Sequence, residues 1–296
     1  MPDTATVLHN ARGSAPGMWF EKDGAVFISL PGVPHEMKGL MIKEVLPRLV
    51  QHFTLPAIVH RTAFTMGQGE SIIAEKLVDF EAALPHHIKL AYLPNYGMVK
   101  LRLSAMGEDA ESVTKDVDHY FKQLTEQVQE YLVSEVDEGL EVAVGKLLLQ
   151  QNKTMATAES CTGGYIAHLI TSVAGSSEYF KGSVVSYANE AKENLLHVGH
   201  NTLREHGAVS EETVREMVAG AIKALHTDYA VATSGIMGPG GGSAEKPVGT
   251  VWMAVGTADR IETQVIKLRF ERQQNIQYAA AQALNMLRKF ILTNSR

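Results

Sequence analysis

Side chains capable of catalysis concentrate in one short segment, TMATAESCTGGYIAHLI, which spans residues 154–170. Its centre, residues 159–164, holds a carboxylate, two hydroxyls, the only cysteine of the chain and a glycine pair. Apolar residues then recur at the helical spacing i, i+3, i+4 and i+7 from Ile166 to Val173, so residues 160–164 are predicted to form the first turn of a helix. Backbone N–H groups and the positive dipole end at such a turn favour an anion or a developing oxyanion. The simpler alternative is that the hydroxyls only cap the helix.

Two further loops place polar groups directly after predicted strands. GSVVSYANEAKENLL, residues 182–196, puts Tyr187, Asn189 and Lys192 behind a strand, although a solvated lysine is the usual occupant of such a position. SGIMGPGGGSAEKPVGT, residues 234–250, is too rich in glycine to be held by side-chain packing. It departs from the phosphate-loop pattern because a proline follows its lysine, but it is compatible with a nest of backbone N–H groups around a monophosphate.

The elements that must position these loops alternate from about residue 136 to the end of the chain. Helical and strand periodicities follow one another, which predicts a sheet covered by helices on both faces, a three-layer α/β/α sandwich. Ligands of such folds bind at strand ends, where loops carry polar groups. The predicted helices are 136–151, 163–173, 211–225 and 272–292, and the predicted strands are 154–158, 182–187, 229–234, 249–256 and 261–267.

Two smaller regions precede this domain, so the expected boundaries are 1–52, 53–135 and 136–296 in a chain of overall α/β class. Residues 1–52 supply the strand-like AVFISL and one helix from about residue 35 to 50, which is too little to close a sheet, and a partial α/β domain is predicted. Residues 53–135 alternate strand, helix, strand, strand and helix, which indicates a small α+β, KH-like module. Such modules often bind RNA. This one lacks a GxxG loop and has few basic residues, so a spacer role is favoured.

Composition narrows the functional classes. Lysine and arginine number 27 against 33 acidic residues, a net charge of −6, which argues against nucleic acid as the main partner. One cysteine allows no intramolecular disulfide and no cysteine-based zinc site, and the histidines are scattered, so no metal site is expected in the carboxy-terminal domain. No apolar run reaches the roughly 18 residues of a membrane helix, and the start of the chain lacks a signal-peptide pattern. A cytoplasmic protein without membrane contact is expected.

Five spaced motifs carry a resemblance to a known family: TAESCTGG, AGSSEYFKGSVVSYANEAK, GAVSEETV, SGIMGPGGG and KPVGTVW. In this order they resemble the carboxy-terminal domain of the CinA (competence/damage-inducible) family over about residues 140–292. NARGSAPG and LPGVPHEM resemble the closing part of that family's molybdopterin-binding-like amino-terminal domain, whose opening segment does not match here. The resemblance therefore suggests a shortened member of the family.

The activity that the resemblance implies is deamidation of nicotinamide mononucleotide, an amide hydrolysis without a cofactor. It requires a nucleophile, a base and donors for the tetrahedral oxyanion. The resemblance implies Ser160 as nucleophile and Lys192 as base, with Tyr187 relaying the proton, and the pKa of the lysine must then lie below its ordinary value. The expected substrate contacts are Glu159, Cys161, Thr162, Gly163, Gly164, Ser176, Asn189, Ser234, Gly235, Gly238, Gly240 and Gly241.

Three alternatives accompany this hypothesis. Cys161 beside a helix terminus could be an activated thiolate, although a small residue buried under the turn is the favoured interpretation. A nucleotide pyrophosphatase acting on ADP-ribose would need a divalent metal and a complete front domain, for which residues 1–52 show no liganding pattern. A non-catalytic nucleotide-binding protein would keep the fold without needing Lys192. A homodimer is expected.

Overall fold

The computed structural model describes residues 2–95 and 97–294, which form two compact units. The first unit contains the residues up to 58 together with 106–113, and the second contains residues 59–105 and those from 114 onward. Among the described helices, none is both long enough and apolar enough to cross a membrane.

The first unit contains an antiparallel sheet of order β1-β2-β3 and a helical segment. Its core is small and is built on Leu8, Trp19, Leu40 and Val45. The sequence predicted the third strand and the helix but neither of the first two strands. The second strand pairs with the third through a turn at Asp23 and Gly24. Both turn residues have positive φ, the geometry of a tight hairpin, so the Asp-Gly pair was the missed signal. The bounds are β1 (Thr6–Leu8), β2 (Gly17–Lys22), β3 (Ala25–Ser29), α1 (Pro34–Leu40), a π-helical turn (Met41–Val45) and α2 (Leu46–His52).

The KH-like module contains a sheet of order β5-β6-β4-β7. The alternating residues Val99, Leu101 and Leu103 are buried, as their period of two predicts. The last helix of the module ends at Gln127, and Leu132 belongs to a short strand that pairs with Thr65. The bounds are β4 (Ala57–Met66), α3 (Glu70–Lys76), α4 (Val78–Ala82), β5 (Ile88–Asn95), β6 (Met98–Gly107), α5 (Ala110–Gln127) and β7 (Leu132–Ser134).

The carboxy-terminal part is built on a sheet of order β12-β11-β10-β8-β9. β8 lies parallel to β9 and β10, whereas β10, β11 and β12 are antiparallel neighbours. The strands are β8 (Met155–Glu159), β9 (Phe180–Val185), β10 (Tyr229–Gly235), β11 (Thr250–Gly256) and β12 (Ile261–Lys267). The helices are α6 (Leu140–Gln150), α7 (Tyr165–Thr171), α8 (Asn189–Leu196), α9 (His200–His206), α10 (Glu211–Leu225) and α11 (Arg272–Asn294), with a 3₁₀ turn at Ser176–Glu178.

Two hydrophobic cores lie on opposite faces of this sheet. One packs α6, α7 and α11 against residues such as Val231 and Val251. The other packs α8, α9 and α10 against Ala158, Ala230 and Ala232. The predicted three-layer α/β/α sandwich is therefore confirmed. The small side chains on the second face allow the helices to approach the sheet closely.

Candidate active site

Ser160 and Lys192 meet at the carboxyl end of β8. Ser160 is the residue after the strand, and its amide donates to the carbonyl oxygen of Thr233 on the adjacent β10 at 2.9 Å. Lys192 lies in the first half of α8, and its Nζ is 3.0 Å from Ser160 Oγ. The same ammonium or amine group donates to the carbonyl oxygen of Ser186 at 2.8 Å. Residues 32 positions apart in sequence thus form a direct hydroxyl–amine contact.

Lys192 is buried to a degree that is unusual for lysine, with 1% of its surface exposed. Within the described part of the chain, no carboxylate forms an ion pair with it. Burial therefore lowers the pKa of Lys192 by desolvating the charged form, and only a weaker interaction with Cys161 opposes the change. A neutral amine beside a hydroxyl can accept a proton, which makes Lys192 a candidate general base.

Glu159 organises the turn rather than facing a ligand. Its side chain is fully buried, and its carboxylate accepts hydrogen bonds from the amides of Gly164, Ile166 and Ala167 at 2.9–3.0 Å. Thr162 Oγ1 donates to the same carboxylate at 2.7 Å and also contacts Thr233 Oγ1. Both side chains are thus used inside the protein, so the expected substrate contact of Glu159 is corrected, and that of Thr162 is left to its backbone amide.

The glycine pair gives the turn its shape. Gly163 and Gly164 have φ of 61° and 94°, left-handed values that side chains with a Cβ rarely adopt. The turn is closed by hydrogen bonds from Gly163 N to Ser160 O and from Tyr165 N to Thr162 O. Within the described residues, no backbone or side-chain oxygen accepts a hydrogen bond from the amides of Cys161 or Thr162. These two N–H groups are the candidate donors for an oxyanion, whereas the amide of Gly164 is occupied by Glu159.

Cys161 is buried under the turn and does not have the environment of a reactive thiolate. Burial raises the pKa of its thiol to about 12, and the Glu159 carboxylate adds to this effect. A thiol with this pKa is protonated at neutral pH, so it is a poor nucleophile. The geometry supports a packing role for the thiol and leaves Ser160 as the activated group.

A cavity of about 180 Å³ opens beside the Ser160–Lys192 pair. Tyr187 lines it, but its hydroxyl accepts a hydrogen bond from Arg272 Nη2 at 3.1 Å instead of contacting the lysine or serine. Only the carbonyl oxygen of Tyr187 faces Lys192 Nζ, at 3.5 Å. The expected proton relay through Tyr187 is therefore corrected: its largely exposed side chain forms part of the cavity wall. The described residues that line it are Ser160, Cys161, Tyr187, Lys192, Ala208, Val209, Ser234, Gly235, Met237 and Arg272.

The glycine-rich segment contributes its first part to the cavity. Ser234 and Gly235 line it, with the Ser234 hydroxyl donating to the carbonyl oxygen of Ala208 at 2.7 Å. The Gly238 carbonyl accepts a hydrogen bond from Arg272 Nη1 at 2.8 Å. Gly240 and Gly241 lie further along the loop, exposed and outside the cavity lining, so their contact with a phosphate stays a prediction.

Two predicted contacts lie elsewhere. The amide of Met155, at the start of β8, donates to the carbonyl oxygen of Tyr179, whose own amide donates to Ser176 O. Ser176 is therefore at the opposite end of β8 from Ser160, and its assignment to the site is wrong for this cavity. Asn189 begins α8 on the exposed side and lines a separate depression with Glu190 and Glu193. Both Ser176 and Asn189 lie close to a motif in sequence, but this closeness did not show that the chain leads them away from the cavity.

Arg272 is the functional candidate that the sequence did not identify. It is the first residue of α11 and lies 85 positions from Tyr187, so no local pattern connects the two. A signal was present, since a cation in the first turn of a helix opposes the helix dipole and therefore suggests another use. Within the described residues no carboxylate pairs with Arg272, which leaves its charge available at the cavity mouth.

The fold and the site together are those of an α/β/α sandwich protein with a buried serine–lysine pair beside a cavity at the end of a strand. Two family models match this chain: the CinA C-terminal domain over residues 137–291 and the damage-inducible protein CinA KH domain over residues 60–134. The chain belongs to the CinA family.

Named relatives agree with this membership. A CinA-like protein of Cytophaga hutchinsonii is 46% identical over 289 residues, which cover 98% of this chain and 69% of that protein. A CinA-like protein of Flavobacterium psychrophilum is 45% identical, covering 99% of this chain and 71% of that protein. The crystal structure of a competence-damaged protein (CinA) superfamily protein from Klebsiella pneumoniae is 35% identical, with a TM-score of 0.51 over 52% of this chain and 96% of that one.

Proposed function

We propose that this chain hydrolyses the carboxamide of nicotinamide mononucleotide to give nicotinate mononucleotide and ammonia. The observation that carries the proposal is the 3.0 Å contact between Ser160 Oγ and the buried Lys192 Nζ, which has no carboxylate partner in the described residues. The resemblance of the surrounding motifs to a family with this activity supports the choice of substrate. The arrangement is a serine–lysine variant of the nucleophile–base pair.

In the acylation step, neutral Lys192 takes the proton of Ser160 Oγ as this oxygen attacks the carboxamide carbon. The carbonyl oxygen becomes an oxyanion, and the amides of Cys161 and Thr162 are the proposed donors of hydrogen bonds to it. The lysine, now an ammonium, gives its proton to the amide nitrogen. The C–N bond breaks, ammonia leaves, and an ester joins Ser160 to the nicotinate group.

The second step regenerates the enzyme. Lys192 is neutral again after ammonia departs, and it removes a proton from a water molecule that attacks the ester carbon. The same two amides bind the second oxyanion, and the ester bond breaks with return of the proton to Ser160 Oγ. One water is consumed for each carboxamide hydrolysed, so atoms and charge balance.

The size and charge of the cavity are consistent with a mononucleotide that enters ring first. A volume of about 180 Å³ is below the roughly 300–1,000 Å³ that encloses a complete drug-sized ligand, so only one end of a nucleotide fits inside. Arg272 at the mouth supplies a guanidinium, the group best suited to binding a phosphate. The carboxamide would then lie at Ser160 and the phosphate near Arg272.

Product analysis tests the proposal. The purified chain is incubated with nicotinamide mononucleotide, and ammonia and nicotinate mononucleotide are measured together. Equal amounts of both products are expected. Binding of the nucleotide without either product would favour the non-catalytic alternative, and release of AMP from ADP-ribose would favour the pyrophosphatase alternative.

A further inference from the structure

A second cavity, of about 370 Å³, opens at the β12 edge of the carboxy-terminal sheet. One wall is formed by residues 262–264 of β12 and another by the second half of α11, and Gly67 of the KH-like module also lines the cavity. The volume falls at the lower end of the range of small-molecule sites, roughly 300–1,000 Å³. Among the described residues none lines both this cavity and the one beside Ser160, so the two are separate.

The wall that α11 supplies is mainly polar. The lining residues of this helix are Gln282, Asn285, Met286 and Lys289, which follow the helical spacing i, i+3, i+4 and i+7 and therefore share one face. On a helix that packs against a sheet this spacing normally carries apolar residues, as it does elsewhere in α11. Three hydrogen-bonding side chains on this face, together with Gln264 from β12, therefore indicate a polar occupant.

Asn285 presents a buried donor without an acceptor. The residue is 4% exposed, and its Oδ1 accepts a hydrogen bond from Arg288 Nε at 3.2 Å. This contact fixes the orientation of the carboxamide, and within the described residues no atom accepts a hydrogen bond from the remaining Nδ2 group. Buried polar groups in proteins are nearly always bonded. The lining therefore contains a place for an acceptor atom of a ligand.

The charge around the cavity favours an anion. Lys289 has no carboxylate partner in the part of the chain that the structure describes. The same holds for Arg288, which is 7% exposed, and a buried guanidinium without a counter-ion costs free energy. The carboxylate of Glu262 also lines the cavity, but it is paired with Arg260. Two uncompensated cations thus lie in this wall or directly behind it.

We propose that this cavity binds a short organic dicarboxylate, an anion whose two charges match those of Lys289 and Arg288. The Lys289 ammonium and Asn285 Nδ2 would donate to one carboxylate, and hydrogen bonds to an ionised group are the stronger ones. The carboxamides of Gln264 and Gln282 would donate to the other carboxylate. A phosphate fits less well, because it concentrates its charge on one centre whereas these donors are spread over a strand and a helix. The site does not depend on the amide hydrolysis proposed above.

The test uses the full chain and two probes of nearly the same shape, the dianion glutarate and its neutral diamide glutaramide. Binding is measured by isothermal titration calorimetry at low salt, where charge interactions are least screened. Glutarate is expected to bind saturably and at least about tenfold more tightly than glutaramide. Lys289→Gln removes one charge from an exposed side chain, so it should weaken glutarate binding by about tenfold and leave glutaramide binding unchanged.

Asn285→Asp tests the buried donor. The aspartate keeps an acceptor for Arg288 but replaces the Nδ2 donor with a negative charge, so saturable binding of glutarate should be lost. Retained binding in a folded Asn285→Asp protein would contradict the proposal. If this variant does not fold, the Lys289 comparison still decides.

Lys267→Gln is the matched control. Lys267 is an exposed lysine of β12 outside the cavity lining, so its loss should leave glutarate binding unchanged. Equal affinity for both probes, equal effects of the two lysine changes, or no saturation by about 10 mM glutarate would overturn the proposal. Tighter binding of inorganic phosphate than of glutarate, lost in Lys289→Gln, would overturn the choice of a dicarboxylate. Weakened glutarate binding in Arg272→Met would also overturn the proposal, by placing the anion in the Ser160 cavity.

Discussion

A purely structural role does not explain why the amine of Lys192 is buried. Burying an amine costs free energy unless the group is neutral or paired, and the described residues offer it only carbonyl oxygens and a serine hydroxyl. A lysine kept for packing could be replaced by an apolar side chain without this cost. The environment is therefore consistent with selection for a proton acceptor at Ser160, at some expense of stability.

The pH dependence of turnover follows from the direction of the Lys192 pKa shift. Desolvation lowers this pKa below the ordinary value of about 10.4, and only the deprotonated amine can accept the serine proton. We therefore expect kcat/KM for ammonia release to rise with pH through an apparent pKa below 10.4 and then to level off. Measurements of kcat/KM for ammonia release from pH 6 to 10, in buffers that hold the pH constant, test this. A profile that is flat across this range would contradict the role of Lys192 as base.

Arg272 should govern affinity for the phosphate and not the chemical step. Arg272→Met removes a charged donor at the cavity mouth, where a charge-assisted hydrogen bond contributes roughly 1.5–3 kcal/mol. The KM for nicotinamide mononucleotide should rise by about tenfold or more, while that for the riboside without phosphate should change by less than about twofold. Lys246→Met, which removes a cation bonded to the His206 carbonyl, serves as the control. Equal increases in KM for the nucleotide and the riboside would show that Arg272 holds the loop in place and does not bind the phosphate.

At the level of elements, the position of α8 decides whether Lys192 reaches Ser160. α8 packs on α10, and at Gly220 the two helices are in backbone contact: a Cβ there would lie 2.0 Å from the Leu196 carbonyl oxygen. Glycine is otherwise about 1 kcal/mol worse than alanine in a helix, so its presence here reflects this close approach. The turn before α7 is fixed in a comparable way by the buried Glu159 carboxylate.

Gly220→Ala should therefore harm both folding and catalysis. The gain in helix propensity of about 1 kcal/mol is smaller than the cost of forcing α8 away, which overpacking data place at roughly 1–3 kcal/mol or more. We expect a lower free energy of unfolding and a kcat reduced by at least about tenfold, measured by urea unfolding and ammonia release. Ala219→Ser, on the exposed side of the same helix, should leave both quantities nearly unchanged. An unchanged kcat in Gly220→Ala would show that the placement of α8 is not limiting.

The elements were more predictable from sequence than the site. The bounds of α10 and β12 are those that the sequence predicts. For α10 the reason is that an amphipathic helix expresses its environment locally. The short helix α9 was not among the predicted helices, since seven residues give too little periodicity to identify. The contact between Ser160 and Lys192 was inferred from motif resemblance, as no spacing rule joins residues on different elements. Arg272 was missed for the same reason, and Ser176 was assigned to the wrong end of a strand.

On the scale of the whole molecule, the two compact units have cores of very different size. The core of the first unit rests on four buried side chains, whereas the second unit contains the two large cores that flank the carboxy-terminal sheet. Less buried apolar surface gives less stability, so the first unit should be the weaker one. The chain is therefore expected to depart from two-state unfolding.

The two tryptophans allow this to be measured, because one lies in each unit. Trp19 belongs to the core of the first unit, and Trp252 packs beside the core of the second. With Trp252→Phe, the remaining Trp19 fluorescence should change at a lower urea concentration than far-UV circular dichroism does. With Trp19→Phe, the Trp252 signal should follow the main circular dichroism transition. Coincident midpoints for both single-tryptophan variants would instead indicate one cooperative transition.

The central claim, that Ser160 and Lys192 together hydrolyse an amide, is tested most directly by the rate of ammonia release from nicotinamide mononucleotide in three variants. Ser160→Ala and Lys192→Met should each lower kcat by at least about 10³-fold, because these groups act together in the transition state. Cys161→Ala should keep most of the turnover, since burial holds that thiol protonated. Folding of each variant is checked by circular dichroism. Substantial turnover by Ser160→Ala or Lys192→Met, or its loss in a folded Cys161→Ala protein, would contradict the account.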